Sequence, residues 1–189
     1  MGIEISESLT NNLLIAMPSL SGTFFEHSVA LICDHQAETS MGLVINKLMG
    51  MQLGQVFDQL DLACEDMALC SAPVYRGGPV STERGFLVHT AGDFWPATFS
   101  IGDNIFLTTS KEILSDIAQG NGPDQFLFVL GYSGWSASQL EDEIKQNAWL
   151  TLKANQEIIF DTPFHEKWQK AGEMLGVDMQ LISSQIGHA

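Results

Sequence analysis

The run Phe126-Leu127-Phe128-Val129-Leu130-Gly131-Tyr132-Ser133-Gly134-Trp135 opens with five consecutive apolar residues. Such a run reads as a strand buried on both faces. Gly131 to Trp135 then reads as a tight turn, its glycines permitting unusual φ and its tryptophan packing on the core. Ser136 and Gln139 have capping-box spacing. The helix they would start buries Ala137, Leu140, Ile144 and Ala148 and turns Glu141, Asp142 and Glu143 to water.

Outward from this stretch, strand and helix signals alternate irregularly. Leu13 to Met17 is a buried strand ended by Pro18, and Ser28 to His35 with Met41 to Lys47 make a strand pair. Leu53, Val56, Phe57 and Leu60 fall at helical spacing. Val74 to Val80 reads as a strand ending in a tight turn at Gly77-Gly78-Pro79, with another strand over Gly85 to Thr90. Thr98 to Ser100 and Ile105 to Thr108 form a hairpin around Gly102-Asp103-Asn104. Thr109 and Glu112 suggest a second capping box, starting a helix with the stripe Ile113, Leu114, Ile117 and Ala118. Trp149 to Leu152 and Glu157 to Phe160 return as short strands. Thr162 caps one last long helix with Pro163 at its first position and Phe164, Trp168, Ala171 and Leu175 inward. Many strands precede the mid-chain helices, which is α+β order in a single domain over residues 1–189.

Eight Lys and Arg stand against 23 Asp and Glu, a net charge of −15. Such a field repels phosphate backbones and anionic membrane surfaces, so neither nucleic acid nor membrane is an expected partner. It favours solubility, and with it basic partners. No run approaches the roughly 20 apolar residues of a membrane span. Glu4 and Glu7 stand where a secretory signal would be basic, which makes the expected compartment cytoplasmic. Met1 to Ser6 fits the short myristoylation pattern, which matches often by chance and needs a eukaryotic transferase. Cys33, Cys64 and Cys70 contain no CxxC, so three reduced thiols are expected. The five histidines are scattered, with Cys33-Asp34-His35 lacking a second close pair. Neither a metal nor a cofactor is expected.

Several blocks, in order, resemble the AlgH (YqgE) family of bacteria. They include Leu14-Ile15-Ala16-Met17-Pro18, Phe25 with Ser28-Val29, Gly42-Leu43-Val44-Ile45-Asn46 and Gly77-Gly78-Pro79-Val80. Arg84-Gly85-Phe86, Leu130 to Trp135 with Gln139-Leu140-Glu141, Asn147-Ala148-Trp149-Leu150 and Gly187-His188-Ala189 complete the match. Lys47-Leu48 departs from it, since the family usually has arginine then proline there. The resemblance implies a bifurcated, mostly antiparallel sheet curled into a pseudo-barrel with packed helices. It also implies a regulatory role, the family being named for alginate synthesis, and it supplies no catalytic residues.

Two segments could carry chemistry. Gly131-Tyr132-Ser133-Gly134-Trp135 has the setting of a nucleophile elbow, but Gly134 comes one residue early for Gly-x-Ser-x-Gly. A binding loop at a helix N-terminus suits it better. Arg76-Gly77-Gly78-Pro79 is the second, because Arg76 and Arg84, the only arginines, flank it. A guanidinium beside glycine N–H groups suits a carboxylate or phosphate, and the alternative is two structural salt bridges. The two segments are expected to lie together and shape one concavity. The function expected is a non-enzymatic regulatory or interaction protein that binds a protein partner or a small anionic ligand. The alternatives are an enzyme using the same glycine loops, and a direct DNA-binding regulator, which the charge disfavours.

Overall fold

A computed structural model describes residues 7–186. The myristoylation-like Met1 to Ser6 and the closing Gly187-His188-Ala189 lie outside them. The elements run β1 (Asn12–Ala16), β2 (Val29–His35), β3 (Thr39–Val44), β4 (Leu48–Gln52), α1 (Leu53–Gln59), α2 (Met67–Cys70), β5 (Pro73–Arg76) and β6 (Val80–His89). Then come β7 (Thr98–Gly102), β8 (Ile105–Thr108), α3 (Glu112–Ala118), β9 (Phe126–Ser136), α4 (Gln139–Lys145), β10 (Trp149–Lys153), α5 (Lys167–Met174) and α6 (Met179–Ile186).

β9 organises the sheet. Its first half, Phe126 to Leu130, pairs antiparallel with β6 on one side. Phe128 to Leu130 pair parallel with β5 on the other. From Ser133 onward β9 pairs antiparallel with β3 instead. The sheet therefore forks along one edge of β9. One branch continues β3-β2-β1-β10 and the other β5-β4, while β6-β8-β7 extends the opposite side. The α+β class and the curled, bifurcated, mostly antiparallel sheet are both present.

Side chains alternate along β9 between two cores, which is why its apolar run is continuous. Val129 points into a cluster with Leu13, Ile15, Leu31, Val88 and Trp168. Phe128 points into another with Phe57 of α1, Leu87, and Ile113 and Ile117 of α3. A third cluster joins Trp135 and Trp149 to Leu14, Ile32 and Leu140. The half-buried Glu143 stitches that cluster, its Oε2 accepting both indole N–H groups at 3.0 and 2.8 Å.

Several expectations are corrected. Gly131 to Trp135 is the second half of β9, not a turn before a helix. Hydrogen bonding to β3 keeps it extended past Gly131. Glu141 and Glu143 face inward: Glu141 meets His35 at 2.8 Å and Glu143 the two tryptophans. Hydrogen bonds from its own N–H and from His35 hold Glu141 below its ordinary pKa, although burial works to raise it. Ala137 is exposed, and α4 starts after Ser138. The Gln139 side chain nevertheless accepts the Ser136 N–H at 3.1 Å, half of the expected box. The Thr109–Glu112 box does not form, because α3 starts at Glu112 without a side-chain cap. Glu157–Asp161 is a π-helical turn, not a strand, and Thr162 Oγ1 closes it on the Glu157 carbonyl at 2.9 Å. The last long helix is two helices, α5 and α6, separated at Gly176 with φ +74°, and Leu175 lies half-exposed at the break. β4 and α2 carry no strong periodicity, and nothing in the chain announces them.

The cysteines are also corrected. Cys64 and Cys70 are joined as a disulfide, their Cα atoms 6.5 Å apart. Asp66 accepts the Ala68 and Leu69 N–H groups, and the turn it caps folds Cys70 back towards Cys64. Cys33 is a free thiol, and burial beside Asp34 pushes its pKa well above the ordinary range.

Candidate functional site

The fork in the sheet is where the two glycine segments meet. The Gly77 N–H donates to the Leu130 carbonyl at 2.8 Å, and the Gly77 carbonyl accepts from Val44 N–H at 2.9 Å and Ser133 Oγ at 3.0 Å. One peptide segment thus ties β3, β5 and β9 at their divergence. The backbones approach so closely that a Cβ on Gly78 would overlap the Tyr132 backbone, and one on Gly77 the Gly131 carbonyl. Gly131 itself has φ +75°, the conformation with which β9 leaves the β5 branch and joins β3.

The two segments are therefore adjacent, and the space between them is filled by main chain. Ser133 is fully buried, and its hydroxyl is committed to the Gly77 carbonyl. Trp135 is core. Tyr132 is half-buried, edge-on to Phe86 at 6.1 Å. Gly134 and Pro79 are exposed. These residues build the fork, and the two arginines stand beside it.

Neither arginine makes an ion pair among the described residues, so the salt-bridge alternative does not hold. Each guanidinium lies over an aromatic ring instead: Arg76 over Phe24 at 4.9 Å and Arg84 over Phe86 at 5.2 Å. Lys47 reaches the same Phe24 ring at 5.6 Å, its Nζ donating to the Glu26 carbonyl at 3.0 Å. Burial lowers the Lys47 pKa, Glu26 works to raise it, and the neighbouring Arg76 lowers it. Two like charges thus share one aromatic ring at the exit of β5.

A cleft of about 410 Å³ adjoins them, lined by Lys47, Asn46, Glu26, His27, His165 and Trp168 among others. His27 adopts φ +56° and stacks on Trp168, ring centroids 4.1 Å apart. Asn46 fixes that corner: Nδ2 donates to the His27 carbonyl at 2.8 Å, and Oδ1 accepts the Val29 N–H at 2.9 Å. Sequence reasoning found Arg76 but missed Phe24 and Lys47. The one available signal was Lys47 itself, one of only eight basic residues in an acidic chain.

Beneath this face, Lys167 is almost fully buried, its ammonium 5.2 Å from the Tyr75 ring centre. Nζ donates to the carbonyls of Ile45 at 3.1 Å and Ile159 at 2.7 Å. Burial brings its pKa down to about 7. Among the described residues no cluster of histidines, cysteines and carboxylates has the make-up of a metal site. No described helix is long and apolar enough to cross a membrane.

A family model described as AlgH-like matches residues 13–180. A UPF0301 protein of Shewanella sp. strain ANA-3 is 45% identical over 187 residues, covering 97% of this chain and all of that protein. The solution structure of the AlgH protein from Pseudomonas aeruginosa is 39% identical, superposes with a TM-score of 0.79 and covers both chains fully. A crystal structure of a protein from Corynebacterium diphtheriae, 18% identical, shares the fold at a TM-score of 0.72 over 96% of this chain and 94% of its own.

Proposed function

The chain belongs to the AlgH-like family, and from that premise we propose that it acts by binding, as a regulatory or interaction protein that takes an anionic group at the Arg76–Lys47 face. One observation carries this reading. In a chain with 23 acidic residues, Arg76 and Lys47 converge on Phe24 with no carboxylate in ion-pair contact among the described residues. Their mutual repulsion is relieved when an anion arrives. The planar Arg76 fork is suited to a carboxylate or phosphate, whether on a small ligand or on an acidic segment of a partner. Gly77, Gly78, Gly131 and Ser133 serve this site by holding the end of β5 rigidly.

The test is a titration of isotope-labelled protein with inorganic phosphate and, separately, with a hexaglutamate peptide, followed by NMR. The expected result is saturable shifts at Phe24, Lys47 and Arg76, weakened about tenfold or more in Arg76→Ala, in line with loss of a charge-assisted hydrogen bond. Shifts that avoid these residues, or that persist unchanged in the folded variant, would sink the proposal.

A further inference from the structure

Arg84 does not belong to the Arg76–Lys47 face. It lines a separate groove of about 540 Å³, between α1, the start of α3 and the β6–β9 surface. Val56 of α1, Leu60 just past its end, Leu114 of α3, Leu87 of β6 and Phe128 of β9 supply its apolar lining. These side chains present an apolar interior of the size and character that small-molecule sites have. Part of the lining is polar. Arg84, whose guanidinium also lies over Phe86 at 5.2 Å, and Lys111 line the groove with one carboxylate, Glu83, and none of the three makes an ion pair among the described residues. Ser110 lines it too, its hydroxyl buried and without a hydrogen-bond partner among the described residues.

We infer that this groove is a binding site for an amphipathic small molecule, an apolar chain carrying a single anionic head. The apolar interior stabilises the chain by removing it from water. The head meets Arg84 and Lys111, and the unpartnered Ser110 hydroxyl donates to it. The arrangement runs against the molecule's own field. Acidic residues outnumber basic ones almost three to one, 23 against 8, yet two cations and one acid line this groove. A neutral head could accept the hydroxyl hydrogen bond but would lack the charge-assisted bonds to the cations. The residues come from four separate elements, α1, β6, α3 and β9, and only the packing of α1 and α3 on the sheet brings them together.

The probes are decanoate, decyl phosphate and decanol, titrated below their aggregation concentrations by calorimetry and NMR. Both acids are expected to bind with shifts at Leu87, Leu114 and Phe128, the tighter one identifying the head as carboxylate or phosphate, and decanol at least tenfold more weakly. The Arg84→Gln/Lys111→Gln double variant should lose about tenfold or more in affinity for the acids. Leu60→Trp, which fills the groove without touching the cations, should abolish binding of all three. Arg76→Gln should leave the shifts at Leu87, Leu114 and Phe128 and the affinity read from them unchanged, which separates this site from the Arg76–Lys47 face. Decanol binding as tightly as the acids would overturn the inference. So would absence of binding by either acid, or unchanged affinity in the folded double variant.

Discussion

At the scale of single residues, the fork shows why two glycine motifs far apart in the chain are each noticeable and each easily misread. A glycine that permits a turn and a glycine that permits two backbones to touch leave the same letter in the sequence. Gly78 is of the second kind, since any Cβ there overlaps the Tyr132 backbone. Gly134 is of neither kind: its Cβ would meet nothing closer than 3.6 Å, an ordinary contact. Gly78→Ala should therefore destabilise the protein by about 1–3 kcal/mol or more, as overpacking does. Gly134→Ala should stay within about 0.5 kcal/mol of the wild type. Denaturant midpoints of the two variants check this, and equal midpoints would remove the close-approach account. Lys167 allows a second prediction. Its folded pKa, about 7, lies below its unfolded value, so between pH 7 and about 10 the unfolded chain binds the extra proton. Stability attributable to this side chain therefore rises with pH across that window. A neutral amine still has two N–H groups for the Ile45 and Ile159 carbonyls. Relative to Lys167→Met, the wild type should gain about 1 kcal/mol per pH unit from pH 7 upward. A pH-independent difference would mean that the buried amine stays charged across this window, as it is in the unfolded chain.

At the scale of elements, strands with continuous or alternating apolar runs were legible, and their ends were not. Phe126 to Leu130 reads as a doubly buried strand because both faces are covered, by the inner core and by α1 with α3. That β9 continues to Ser136 depends on β3 being there to pair with it, a contact between residues far apart in sequence. Among the described residues the short strand β4 pairs only with β5, and its alternating exposure offered little to read. The final helices show the same limit. Thr162 and Pro163 look like a helix start, yet the hydroxyl closes the π-helical turn behind it. The inner stripe survived that revision in part. Phe164 packs against the inner core, Ala171 is buried, and Trp168 is 9% exposed, with its indole N–H donating to the Ala16 carbonyl at 2.9 Å. Trp168→Ala should cost about 3–5 kcal/mol, combining the cavity with an orphaned carbonyl. Trp168→Phe, which keeps much of the volume, should cost less. Thermal or chemical denaturation of both variants tests whether α5 is docked through this residue. A midpoint that barely moves in Trp168→Ala would show that it is not.

At the scale of the whole molecule, the sequence located the fold more firmly than the site, because the fold is written in runs and the site in convergences. Phe24, Lys47 and Arg76 are separated by long stretches of chain, and only the curl of the sheet gathers them. Arg84, close to Arg76 along the chain, lines a groove that Arg76 does not reach. The net charge of −15 was legible from the outset and bears on the remaining question of nucleic acid. Duplex binding requires a surface that neutralises several phosphates, since each neutralised phosphate releases counterions and contributes to affinity. This chain offers eight Lys and Arg in all. One of them, Lys167, is buried. Arg76 with Lys47, and Arg84 with Lys111, are small local groups within an acidic field, sized for one anion rather than for a phosphate track. Lys153 and Lys170 already face carboxylates, Asp103 at 3.5 Å and Glu157 at 3.7 Å. The expected outcome in fluorescence anisotropy at about 0.15 M salt is binding to any duplex weaker than the usual non-specific range of about 10⁻⁴–10⁻⁶ M. Lowering the salt should rescue little, because the long-range field repels the duplex and loses screening at the same time. Micromolar affinity, with a steep salt dependence that Arg76→Ala or Arg84→Gln reduces, would instead make these arginines phosphate contacts on nucleic acid and displace single-anion binding as their role.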